Sequence, residues 1–208
     1  MRVLITGFGP FPGAPFNPSA ALAKALARRR RPAFMGIERS THIFATTYAS
    51  VDRDLPRLLR EQKPDIVLMF GVAGRRRHVC VETRARNAIL LLFPDAAGHR
   101  PQHGVIALRG PAARAGNAPF ASLVGATRSN AAPAKLSRDA GRYLCNYVYW
   151  RALEQAQGSR PLVQFVHVPP LRHKPRRRRH AMKRQPTLAQ LLQTAETLLV
   201  ALVAASRR

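Results

Sequence analysis

Acid is what this chain has least of. Ten Asp and Glu stand against thirty-five Lys and Arg in 208 residues, a formal charge of +25 at neutral pH. Such a field attracts nucleic acid or an anionic membrane. The cations cluster at 28–31 (RRRR), 75–77 (RRR) and 172–184 (RHKPRRRRHAMKR). No recognised nucleic-acid motif accompanies these runs, so polyanion binding rests on charge alone. An Arg-favouring composition is the plainer reading. Cysteine is nearly as scarce: two residues, Cys80 and Cys145, cannot build a disulfide framework. The opening, MRVLITGFGPF, has no charged segment followed by a long apolar one and runs straight into a strand and a turn. A reducing, cytoplasmic setting is expected. Uninterrupted apolar stretches of membrane length are missing too. The most apolar pattern, near the C-terminus, is broken by Gln190, Gln193 and Glu196, so no membrane span is expected.

What is present is a 46% hydrophobic composition, enough for one domain over 1–208 with a sizeable core. RVLITGF, PDIVLMFG and PLVQFVHV are continuous apolar runs closing on Gly or Pro, and read as buried strands. STHIFATTY and HVCVETRARN alternate, and read as strands or extended segments. Between them lie helical patterns: SAALAKALARRR behind the Asn17–Pro18 start signal, VDRDLPRLLREQ with Pro56 near its first turn, PFASLVGATRSN, and AGRYLCNYVYWRALEQAQ. The strongest helix covers about 187–205, with a capping-box pattern at Thr187 and Gln190. A basic loop is expected over about 172–184. Strands alternating with helices predict a three-layer α/β/α fold on a mostly parallel, twisted sheet, with mixed sense allowed. Sites in such sheets collect beyond the strand ends. The loops GFGPFPG, GVAGRRRHVCVE and HVPP hold the residues of interest.

Three side chains suit nucleophilic chemistry. Cys145 stands near the start of a predicted helix, where the dipole favours thiolate, although a buried, inert cysteine would fit the same pattern. His167 ends a buried strand, where it faces a cleft or serves as a satisfied core imidazole. Glu82, set in an apolar alternation, either orients an imidazole or pairs with Arg84 or Arg86. Cys80, two residues before Glu82, reads as packing. None of the seven histidines shows metal-ligand spacing, so no metal site is read from them. GFGPFPG is no phosphate loop, because its prolines remove amide donors. Its Phe8 and Phe11 wall a small apolar pocket or cap the core.

Five segments, in order, carry a family pattern: VLITGFGPFPGAPFNPS, PDIVLMFGVAGRRRHVCVETRARN, FPDAAGHRP, LSRDAGRYLCNYVYW and FVHVPPL. The chain resembles the pyroglutamyl peptidase I family, the pyrrolidone-carboxylate cysteine peptidases, over about residues 2–171, and the C-terminal helix also fits. The resemblance implies a phosphorylase/hydrolase-like fold. It also implies a cysteine exopeptidase that removes an N-terminal pyroglutamyl residue from peptides. The family's triad falls on Cys145 as nucleophile, His167 as base and acid, and Glu82 as its orienting partner. The lactam pocket falls on Phe8, Phe11 and Thr46, the last taken as lying on the second strand, with Tyr143 and Leu144 closing it. The resemblance further implies a peptide substrate with N-terminal pyroglutamate, a homodimer or homotetramer, and neither metal nor cofactor.

Three positions depart from the family pattern. Val72 stands where Gln is usual, Arg75 where a second Gly is usual, and Thr83 where an Arg follows the Glu. The last change takes a fixed cation from beside Glu82. A second function class is therefore a non-catalytic or differently specific member that holds polyanions through its Arg runs. A third is a related α/β hydrolase acting on another substrate.

Overall fold

The computed structural model describes residues 1–11, 15–156, 161–171 and 185–207. Strand β1 (Arg2–Phe8) is buried at every position but its first, as a strand covered on both faces must be. It pairs in parallel with β2 (Glu38–Phe44) and with β3 (Ile66–Val72). β3 continues in parallel to β8 (Leu162–Val168). The sense then reverses: β4 (Val79–Glu82) runs antiparallel to β8, and β7 (Ala134–Ser137) runs parallel to β4. The six strands lie in the order β2-β1-β3-β8-β4-β7. The sheet is thus mostly parallel and mixed. A separate antiparallel pair joins β5 (Arg84–Arg86) to β6 (Ala113–Ala115).

Alternation along the strands divides the core between the two faces. Val3, Ile5, Leu68 and Val166 pack with α1 (Pro18–Arg28), α3 (Phe120–Ala126) and α5 (Leu188–Ser206). Leu4, Val67, Met69 and Phe165 pack with α2 (Tyr48–Gln62) and α4 (Leu144–Gln155). By length and composition α5 would also suit a membrane. Here its Leu191, Ala195, Leu198, Leu199 and Leu202 are buried in the first of these cores. Its capping box forms as expected, Thr187 Oγ1 accepting from Gln190 N at 3.2 Å and Gln190 Oε1 from Thr187 N at 2.9 Å.

Several boundaries differ from the sequence reading. The stretch expected as strand STHIFATTY ends its strand at Phe44. Thr47 is instead the N-cap of α2, its Oγ1 accepting from Ser50 N at 3.1 Å. Pro56 therefore sits inside α2 rather than in its first turn, and the helix closes on Lys63 in the left-handed region at φ 43°. HVCVETRARN forms two strands, β4 and β5, interrupted at Thr83. The helix expected from AGRY starts at Leu144 because Gly141 takes φ 81° and Tyr143 is extended. β7, an edge strand, has no counterpart in that reading. The basic segment 172–184 lies outside the described residues.

Candidate active site

The pairing of β4 with β8 sets Cys80 opposite His167. Strand alternation then turns Glu82, two residues on, to the same face. Glu82 is wholly buried, and its Oε1 lies 2.8 Å from His167 Nδ1. The backbone of Glu82 is fixed as well: its carbonyl accepts from Tyr149 Oη at 3.0 Å and from Gln164 Nε2 at 3.1 Å. Thr83 holds the next turn, its N and Oγ1 both donating to Ser137 O.

The cation beside Glu82 is Arg76. Its Nη1 donates to Glu82 Oε1 at 2.7 Å and to Ser137 Oγ at 3.0 Å, and its Nη2 donates to Asp139 O. This corrects two expectations. Glu82 does not pair with Arg84 or Arg86, which bond to Arg138 O and to Asp139 instead. Nor does Thr83 leave the carboxylate without a cation, because a neighbouring loop supplies one.

Cys145 is the second residue of α4, where backbone amides have no carbonyl of their own helix to bond. The helix is fixed behind it. Asn146, buried, accepts from Arg86 N at 2.8 Å and donates to Arg86 O at 2.8 Å and Ala88 O at 3.0 Å. Tyr149 and Trp150 are inaccessible to solvent. The thiol reaches the imidazole across Gly71 of β3: a Cβ there would stand 2.7 Å from Cys145 Sγ and 2.7 Å from Phe165 Cζ. His167 feels the charge of the nearby Cys145 thiol. With Nδ1 taken by Glu82, Nε2 is the nitrogen left for it.

Burial alone would push the His167 pKa down. The charge of neighbouring Cys145, then the hydrogen bond and charge of Glu82, more than offset it and hold it up at about 9. Burial likewise opposes the charged form of Glu82, yet the hydrogen bond and charge of His167, with Ser137 and Arg76, keep its pKa below the usual carboxylate value. Cys80 sits in the same row, and burial raises its thiol pKa. That fits the packing role read from the sequence.

Cys145 and His167 open onto a pocket of about 210 Å³. Phe8, Phe11, Thr46, Tyr143 and Leu144 all line it, as does Val72. Thr46 lies beyond the end of β2 rather than on it, and its hydroxyl donates to Gly9 O at 3.1 Å. Asn17 Nδ2 donates to the same carbonyl, also at 3.1 Å, so two side chains fix the turn that carries Phe11. Tyr143 Oη donates to Pro94 O at 2.9 Å and ties the pocket wall to the 87–112 segment. That segment is itself closed by buried Asp95, which accepts from Tyr48 N, Ala97 N and His99 N.

Sequence reasoning gave no site role to Arg76, Gly71, Asn17 or Asn146, and read Asn17 only as a helix start. All four lie inside the quoted motifs, but the sequence presents Arg76 only as part of a charged run. Among the described residues no group of His, Cys, Asp and Glu could hold a metal ion.

A family model described as pyroglutamyl peptidase matches residues 1–208. The pyrrolidone-carboxylate peptidase of Thermococcus kodakarensis is 34% identical over 171 residues, 81% of each chain. That of Thermococcus onnurineus is 36% identical over 171 residues, 81% of this chain and 84% of its own. Among solved structures, the pyrrolidone carboxyl peptidase of Thermococcus litoralis superposes with a TM-score of 0.86 at 29% identity, covering 99% of this chain and 95% of its own. The pyroglutamyl peptidase I of Bacillus amyloliquefaciens gives a TM-score of 0.78 at 26% identity, covering 100% of this chain and 97% of its own.

Proposed function

The chain belongs to the pyroglutamyl peptidase family of cysteine peptidases, and on that premise we propose that it cleaves an N-terminal pyroglutamyl residue from peptides through Cys145, His167 and Glu82. The observation that carries this reading is the linked set itself. Glu82 holds one imidazole nitrogen at 2.8 Å, Cys145 lies near enough to raise the His167 pKa, and both thiol and imidazole face the pocket walled by Phe8, Phe11 and Leu144.

In this mechanism the lactam of the substrate lies between the phenylalanine rings, a setting suited to a neutral, half-apolar ring. The Cys145 thiolate attacks the pyroglutamyl carbonyl, forming a C–S bond. The oxyanion sits near the unengaged amides at the start of α4. As the C–N bond breaks, the His167 imidazolium gives its proton to the leaving amine. Neutral His167 then takes a proton from water, whose oxygen displaces sulfur and releases pyroglutamate. Glu82 holds the ring in place and stabilises its charged form. Arg76 and Ser137 hold Glu82.

Release of a fluorescent amine from a pyroglutamyl amide tests the reading. The wild type is expected to hydrolyse it, and Cys145→Ala or alkylation by iodoacetamide to abolish release. Hydrolysis by well-folded Cys145→Ala would sink the thiol mechanism. No hydrolysis by well-folded wild type would sink the substrate assignment.

A further inference from the structure

A second cavity, of about 340 Å³, opens beside the candidate active site, lined by Arg77, His78 and Lys135 together with Pro133, Pro169 and Thr187. Its position follows from strand register. Cys80 pairs with His167 on one side and with Lys135 on the other, so the three lie in one row across β8, β4 and β7. Lys135 is thus two strand spacings, ~10 Å, from His167 at the backbone. Val72 lines the first cavity, and residues 73–78 follow it in the chain. Within this stretch Arg76 turns in to Glu82, while Arg77 and His78 line the second cavity.

Among the described residues no acid answers these cations. Asp52 and Glu154 lie against Arg151, Asp54 against Arg53, and Glu61 against Arg57. Glu82 serves Arg76 and His167, Asp139 pairs with Arg86, and Glu196 pairs with Arg29 and Arg31. Asp65 and Asp95 accept backbone amides. Glu38 opens β2, at the opposite edge of the sheet from β7. These ten are all the acids in the sequence, and none lines the cavity. The charges act on one another as well. Burial, then Lys135 and Arg76, push the His78 pKa down.

We propose that this cavity is an anion-binding subsite that takes carboxylate side chains of the substrate downstream of the pyroglutamyl group. The proposal rests on the function argued above. An extended peptide advances ~3.3 Å per residue. The ~10 Å from His167 then spans about three residues, so the carboxylates engaged are those of the second to fourth residues after the scissile bond. A pyroglutamyl peptide has no amino-terminal cation of its own, so an acidic one reaches this site with no opposing charge. A nucleic-acid strand is a poorer fit, because among the described residues no Phe, Tyr or Trp lines the cavity to stack a base.

The test compares kcat/KM for pyroglutamyl pentapeptides with Glu, Ala or Lys at the third and fourth residues. Wild type is set beside Arg77→Gln with Lys135→Gln, and beside a charge-matched remote pair on α2, Arg57→Gln with Arg60→Gln. At low salt the wild type is expected to favour the Glu peptide over the Ala peptide about tenfold, as one or two partly exposed charge pairs would give. The preference should shrink as salt rises. It should vanish in the cavity variant and persist in the remote one. A ratio near one in wild type overturns the proposal. So does an equal loss in both variants, which would assign the preference to net charge rather than to the cavity. If wild type fails on the fluorescent amide, the proposed activity fails separately. The cavity is then tested by binding of the same acidic peptide, lacking pyroglutamate, to Cys145→Ala. Tighter binding than the Ala peptide, lost in the cavity variant, upholds it. Equal binding, or stronger binding by a short oligodeoxynucleotide, overturns it.

Discussion

Arg76 and His167 share one oxygen: Glu82 Oε1 accepts from Arg76 Nη1 at 2.7 Å and lies 2.8 Å from His167 Nδ1. The carboxylate is wholly buried and owes its ionised state to these neighbours and Ser137. Arg76→Gln is therefore expected to raise the Glu82 pKa and move the acid limb of the pH–rate profile to higher pH. Lysine at the same position should restore much of the shift. Unfolding in denaturant should show a loss of about 2 kcal/mol, the size of a charged hydrogen bond removed from a buried acceptor. An acid limb that stays in place would mean that Arg76 does not act through Glu82.

Folding and titration are linked at His167. Its ordinary pKa is 6.5 and its folded value is about 9, so the folded protein holds a proton that the unfolded chain releases. The stabilisation is complete below pH 6.5 and is lost as pH rises through about 9. The imidazolium is also the proton donor to the leaving amine, so kcat/KM should decline over the same range. Glu82 acts in the opposite direction. Its pKa is depressed from 4.5, so its contribution is present above that value and lost as pH falls below it. In Cys145→Ala the largest favourable partner of His167 is gone, and the imidazole should titrate lower by NMR. An unchanged titration would disprove the thiol–imidazole coupling.

Gly71→Ala should be far more costly to activity than its size suggests. The added carbon meets Cys145 Sγ and the Phe165 ring at 2.7 Å. Displacing the thiol by a fraction of an ångström should lower kcat by about 10²-fold. Overpacking should cost about 1–3 kcal/mol of stability. A variant with wild-type kcat would show that the thiol need not sit against β3.

Asn146→Ala removes a buried amide that binds Arg86 N, Arg86 O and Ala88 O. Three backbone partners lose their bonds at once, and about 3 kcal/mol should be lost in denaturant melts. KM should rise together with that loss, because the 87–112 segment that these bonds anchor also receives the Tyr143 hydroxyl at the pocket wall. Stability and KM both at wild-type values would overturn this account.

The buried strands are legible because RVLITGF, PDIVLMF and PLVQFVHV are apolar runs bounded by Gly and Pro, and the C-terminal helix because its capping box and apolar stripe agree. β7 is not. Only Ala134 of its four residues is buried, so no alternation marks it. Thr46 and Thr47 read as strand because both are β-branched, yet Thr47 spends its hydroxyl capping α2. Cys145, His167 and Glu82 can be nominated from the sequence, each with a plain packing alternative, and the family pattern raises them above it. Their grouping depends on β4 running antiparallel to β8, which no local pattern encodes. Arg76 is hidden for a related reason. The sequence says which residue follows Glu82, but not which cation folds back over it.

The helix bearing Cys145 is also the one whose Tyr149 and Trp150 are sealed in the core, and its second turn cannot leave without opening the sheet. Thiol reactivity in this protein is thereby tied to global cohesion rather than to loop breathing. Inactivation by heat should track the cooperative unfolding of the whole chain. The rate at which a slow alkylating reagent captures buried Cys80, in protein whose Cys145 is already blocked, would then serve as a clock for that unfolding.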